Sequence, residues 1–341
     1  MGVIRRGARS SSAGAQRRAL VVLAIIGLGL AGAPVLFKMF ERGPQGAQMM
    51  EEFQPFMSDA RLNGFQRHIR EIDAAVHEAD GSVAGKLEGR GAAAHRRFDR
   101  RFPGFAQFRQ DWGPINADMT NLMDTIHANA GNYRAVTALP SFRIFPWFFV
   151  IPGVLVALLA LGGLLAPRSR PRLRWAFVAL GIALVLAPVA FQMFQRAPKG
   201  GRMMTAFETI ETRKKVETIQ SYFATIAVGQ GSLRLEVVPA LHRAGLDAAQ
   251  IADRFPAVDR LNRNWIGILN DMTPMIGAMS DNVDNYDAIK SLPPFPLFPW
   301  FFVVPGLLIV ALALVPGRRN GRAAARPVAR PFPTPSRGGA L

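Results

Sequence analysis

The chain has 341 residues, half of them hydrophobic, with no cysteine and a net charge of +17. The lack of cysteine excludes disulfide staples, thiol nucleophiles and thiolate metal sites. The charge suggests a polyanion-binding protein until its distribution is read: 13 basic residues balance 13 acidic ones in 41–143, and 12 balance 11 in 196–296, so the excess lies almost wholly in three short acid-free segments. That pattern belongs to membrane insertion rather than to nucleic acid.

Residues 1–18 form a basic lead with Arg5, Arg6, Arg9, Arg17 and Arg18, expected to be cytoplasmic and disordered. Residues 19–40 are apolar and long enough for a first membrane span. Ala31-Gly32-Ala33 resembles a signal-peptidase site, but Pro34 follows it and the same local sequence recurs at Ala187-Pro188-Val189, so a retained anchor is expected. Lys38, near the outer end of this span, is expected to snorkel.

Segment 41–143 is polar and reads as a helical extracytoplasmic domain, with Phe65, Ile69, Ile72 and Val76 on one helix face. A second span follows at 144–166, then a loop at 167–174 with four arginines, and a third span at 175–195. Segment 196–296 is the second polar domain. Its apolar stripes run through Phe207, Ile210, Val216, Ile219, Phe223 and Ile226, and from Val258 to Ile289 with Pro274 as a bend. A short helix at 247–254 is expected to begin at a cap and stop before Pro256. A fourth span at 297–316 leads into a tail at 317–341, rich in Arg and Pro and expected to be disordered, with a Pro-Phe-Pro-Thr-Pro run. The arginine-rich segments place both termini and the loop in the cytoplasm, and both polar segments outside.

The two halves correspond. Residues 145–153 read FPWFFVIPG and residues 298–306 read FPWFFVVPG. Ala33-Pro34, Met49-Met50 and Phe53 match residues 154 positions on, and from Phe102-Pro103 the offset is 153. A unit of span, polar segment and span, repeated once, keeps its orientation, so the expected architecture is a tandem parallel repeat with a pseudo-two-fold axis along the membrane normal. Each polar segment is expected to be a small helical bundle of its own. The abundance of Arg and Ala over Lys suits a GC-rich bacterial genome.

Chemistry is harder to find. Asp73 and His77 stand four apart on a predicted helix, but there is no HExxH, no second pair and no matching His in the other half, so no metal and no cofactor are expected. Asp118 and Asp271 correspond, with Met and Thr beside them rather than a nucleophile; capping or a polar contact between the halves is expected. No phosphate loop, serine elbow or mid-span charge occurs, which argues against catalysis and ion pumping.

What both halves keep is a polar helix face, Asn129, Asn132 and Tyr133, matched by Asn282, Asn285 and Tyr286. They also keep a collar of Pro146, Trp147, Pro152 and Gly153, matched by Pro299, Trp300, Pro305 and Gly306. The tryptophans and the phenylalanines around them are expected in the interfacial aromatic belt, and the Pro-Gly pairs as points of bending. The sequence thus reads as an all-α, four-span, multi-pass protein of the inner or plasma membrane without enzymatic activity. It is a scaffold or accessory subunit whose expected partners are membrane lipids and a protein or a second copy of itself. A small-ligand sensing module or a transport-associated subunit is the alternative.

Overall fold

The computed structural model describes residues 7–315, with side chains from residue 14 onward, so the expectations for the first six residues and for the 317–341 tail lie outside the described residues. Among the described residues every regular element is a helix. Helix α1 spans Gly7–Leu36, α2 Met39–Phe53, α3 Asp59–Glu78, α4 Ala84–Glu88, α5 Ala92–Arg101, α6 Pro103–Thr137 and α7 Trp147–Leu165. The C-terminal half follows the same plan with α8 Arg170–Ala190, α9 Met193–Phe207, α10 Arg213–Ser232, α11 Val238–Arg243, α12 Ala248–Arg254, α13 Pro256–Lys290 and α14 Trp300–Ala313.

Four helical stretches are long and apolar enough to cross a membrane: Gly14–Leu36, Trp147–Leu165, Pro167–Ala190 and Phe295–Ala313. Their outward sides expose Ile25, Leu28, Leu158, Leu186 and Leu307, the surface a lipid solvent demands. Two local details differ from expectation. Helix α1 already starts at Gly7, so part of the lead expected to be disordered is helical. Helix α8 begins at Arg170 inside the expected loop, where the Arg170 Nε donates to the Gly163 carbonyl at 2.9 Å and closes the turn.

Local chemistry sets the other boundaries. Ser58 caps α3 by accepting the Arg61 amide, and Thr212, 154 residues on, caps α10 by accepting the Lys215 amide. Asp247 and Gln250 form the capping box that starts α12. Pro103 and Pro256 open α6 and α13 at the position where proline sacrifices no hydrogen bond. Between each outer span and the next helix the chain turns through a left-handed residue, Lys38 (φ 52°) and Gln192 (φ 55°). Such a conformation costs a non-glycine residue about 1–2 kcal/mol. Lys38 is thus the pivot of a turn rather than a side chain continuing a span.

Within the membrane layer the pairs are formed inside each half, α1 with α7 and α8 with α14. The backbones meet at glycines. A Cβ on Gly27 would lie 2.7 Å from the Gly153 carbonyl oxygen, and one on Gly181 would lie 2.8 Å from that of Gly306. Small residues allow this approach, and without a hydrophobic drive inside lipid such close packing is what holds spans together.

Beyond the membrane the halves exchange helices. Helices α3, α6, α10 and α13 form one four-helix bundle in which α3 and α10 each lie against both long helices. Helix α2 packs on α13, and α9 packs on α6. Gly46 admits the Ile289 side chain and Gly200 admits Val136. The Arg42 guanidinium donates to the Ser291 carbonyl at 3.2 Å, and Arg196 donates to that of Ala138 at 2.5 Å. The two bundles expected from sequence, one per half and packed as a pseudo-dimer, thus share helices in one interlocked bundle. Its core includes the fully buried Phe65, Phe98, Phe105 and Phe108, each worth about 1.5–3 kcal/mol of transfer from water.

Candidate functional site

Of the polar residues both halves keep, Asp118 and Asp271 meet the opposite half directly. Asp118 and Asp271 lie inside α6 and α13, not at helix starts, so capping is ruled out for both. Each receives donors from the opposite half. Asp271 takes Arg61 at 2.5 Å and His68 Nε2 at 3.0 Å; Asp118 takes Lys215 Nζ at 2.5 Å and the Tyr222 hydroxyl at 3.0 Å. Arg61 and Lys215, like His68 and Tyr222, stand 154 residues apart, so one geometry is built twice from different donors. The His68 hydrogen bond, joined by Arg61, holds Asp271 below the usual carboxylate range. Each set ties two helices of opposite halves together, α3 to α13 and α10 to α6.

Closer to the membrane lie the repeated Asn and Tyr residues. Tyr133 donates its hydroxyl to the Met50 carbonyl and Tyr286 to the Met204 carbonyl, tying each long helix to the short helix of its own half. Asn132 donates to Asn129 Oδ1 and Asn285 to Asn282 Oδ1, both at 2.9 Å. Burial pushes the Tyr133 phenol up to about 12 and raises Tyr286 too, so both remain neutral donors.

Here the halves stop matching. Asn282, fully buried, donates to Glu52 Oε2 at 2.6 Å, whereas the residue 154 positions beyond Glu52 is Ala206. Glu211 is buried where the N-terminal half has Met57, and one of its oxygens has no hydrogen-bond partner. Burial pushes that carboxyl up to about 8.

The collar divides into two faces. Pro146 and Pro299 stand at the N-caps of α7 and α14. Trp147 and Trp300 are half exposed on the outer face, each in edge contact with Phe40 or Phe194 at 5.5 and 5.7 Å between centroids. Four of the six collar phenylalanines turn inward. Phe145, Phe149, Phe298 and Phe302 are buried and meet across the seam, with Phe145 to Phe298 at 5.1 Å and Phe149 to Phe302 at 4.6 Å. An aromatic ring is apolar enough for lipid or core, and here packing across the seam wins. Pro152 and Pro305 lie within helices, and the adjoining Gly153 and Gly306 are the close contacts between spans. Beside this cluster an apolar recess of about 270 Å³ opens between α1 and α14, lined by Leu30, Phe37, Phe301 and Pro305.

Asp73 Oδ1 accepts from Trp112 Nε1 at 2.8 Å and Asn116 Nδ2 at 3.1 Å, and His77 Nδ1 lies 2.9 Å from the Asp73 carbonyl oxygen and 3.4 Å from Asp73 Oδ1. No group of three potential metal-ligating His, Asp or Glu side chains occurs among the described residues. Sequence reasoning missed Arg61, His68, Lys215, Tyr222, Glu52 and Glu211; extending the 154-residue offset along α3 and α10 exposes the first four as matched pairs. No protein-family model matches the chain, and no curated protein is significantly similar to it.

Proposed function

We propose that this chain is a non-enzymatic integral membrane protein, a tandem parallel repeat whose polar bundle stands outside the cytoplasm of a bacterial inner membrane. Both termini and the arginine-rich turn after α7 are cytoplasmic, and the bundle acts as a scaffold or accessory subunit for a protein or lipid partner. The observation that carries this reading is the interlock. Two helix exchanges and two carboxylate clamps lock the halves together in the polar bundle, and an aromatic cluster joins them where the apolar helices begin, which suits presentation of a surface better than opening a path. The apolar recess beside Phe301 suits a lipid chain.

Because the chain has no cysteine, single-cysteine labelling in intact cells is unambiguous. A Cys at Ser82 should react with a membrane-impermeant maleimide and one at Ser169 should not; the reverse pattern would overturn the topology. Affinity purification of the full chain from mild detergent should bring down a stoichiometric membrane protein or a bound lipid, and a chain that purifies alone and lipid-free would overturn the scaffold reading. A binding or sensing role is the second reading, favoured by a charged groove on one side of the bundle.

A further inference from the structure

The groove between α3 and α13 encloses about 680 Å³ and is lined by Arg67 and Arg70 from one helix and Arg260 and Arg263 from the other. The groove between α10 and α6 is its counterpart, and there the same positions hold Ser221, Ala224, Gln107 and Gln110. One face of the bundle thus carries four guanidinium groups where its counterpart carries none.

The carboxylates at hand neutralise these groups only in part. Asp271 is held by Arg61 and His68, Glu71 accepts from Asn264 Nδ2 at 2.9 Å, and Asp259 pairs with Arg263 at 2.5 Å. Among the described residues Arg67, Arg70 and Arg260 have no ion-pair partner. The three guanidinium groups without a carboxylate partner repel each other along the groove until an anion bridges them, and the planar guanidinium fork matches phosphate or carboxylate oxygens in pairs. The volume is in the range of small-molecule sites.

Lipid head groups of the protein's own membrane are out of reach. From the α-helical rise, Asp271 lies about 28 Å and Arg260 about 45 Å along α13 from Lys290, its membrane-proximal end. Those distances exceed the screening length of about 8 Å at physiological salt several times over.

We infer that the α3–α13 groove is a binding site for a small multivalent anion carrying two or more phosphate or carboxylate groups, and that the α10–α6 groove is not. The site stands whichever side of the membrane the bundle faces and whether or not a scaffold partner exists.

The test is calorimetric titration of the full chain, in phosphatidylcholine nanodiscs, with inorganic pyrophosphate and with citrate. At least one should bind saturably at one site per chain, with affinity falling as salt rises. Arg67→Gln with Arg260→Gln should weaken it at least fivefold, as should Arg70→Gln with Arg263→Gln; Ser221→Ala with Gln107→Ala should change it less than twofold. The probe that binds tighter separates a phosphate source from a carboxylate source. Absence of saturable binding by both probes overturns the inference, as does a loss below fivefold in arginine variants that retain the parent melting temperature.

Discussion

Glu211 shows how one side chain departs from a shared plan. Its position corresponds to Met57, and both are buried, so a carboxyl occupies a site shaped for a thioether. Since its folded-state pKa is raised to about 8, the folded chain holds a proton that the unfolded chain releases near pH 4.5. Stability is complete below that lower value and falls as pH rises toward 8, at up to about 1.4 kcal/mol per pH unit. Melting curves between pH 5 and 9 should show this decline, and Glu211→Met should flatten it and raise the melting temperature at pH 8. The seam carboxylates differ in another way. Lys215 and Asp118 are about a quarter exposed, whereas Arg61 and Asp271 are 46% and 36% exposed. Double-mutant cycles should therefore give a coupling of about 1 kcal/mol for the first pair and a few tenths for the second.

Among the elements, the spans were the most legible, because an unbroken apolar run of about 20 residues matches the thickness of a bilayer and is rare in a water-soluble domain. Their pairing was not. Gly153 sits beside Pro152 in a motif that reads as a bend, and only the opposing Gly27 reveals a contact between backbones. Gly27→Leu and Gly181→Leu should each destabilise the folded protein by about 1–3 kcal/mol through overpacking, whereas Gly29→Leu, with nothing within 4 Å of its new Cβ, should be tolerated. Thermal melts in detergent distinguish these outcomes. The inward turn of Phe145, Phe149, Phe298 and Phe302 escaped notice for a related reason: hydropathy ranks a side chain for burial without saying whether lipid or protein will cover it.

For the whole molecule, the amphipathic stripe of α3 was readable from three- and four-residue spacing and the start of α12 from its cap, whereas the stripe read from Phe207 to Ile226 is broken by the turn between α9 and α10. The exchange of α2 and α9 was not readable. A stripe shows that a face is buried but does not name the helix that buries it, and Gly46 fits Ile289 only once α13 is already in place. The interlock leads to a direct expectation. Cut between Ser169 and Arg170 and co-expressed, the two fragments should copurify as a one-to-one complex. Residues 1–169 alone, whose α2 and α6 have lost α13 and α9, should instead aggregate or pair with a second copy, as size-exclusion chromatography with light scattering would report.

The corresponding positions of the two halves are encoded separately. In an assembly of two identical chains, every substitution appears on both sides of the axis, so a groove cannot gain four arginines without its mirror image gaining them too. Joined in one polypeptide, the two faces are released from that constraint. Arg67 and Ser221, Glu52 and Ala206, and Glu211 and Met57 record that freedom. A groove lined by Arg67, Arg70, Arg260 and Arg263 on one face therefore requires no copy on the other.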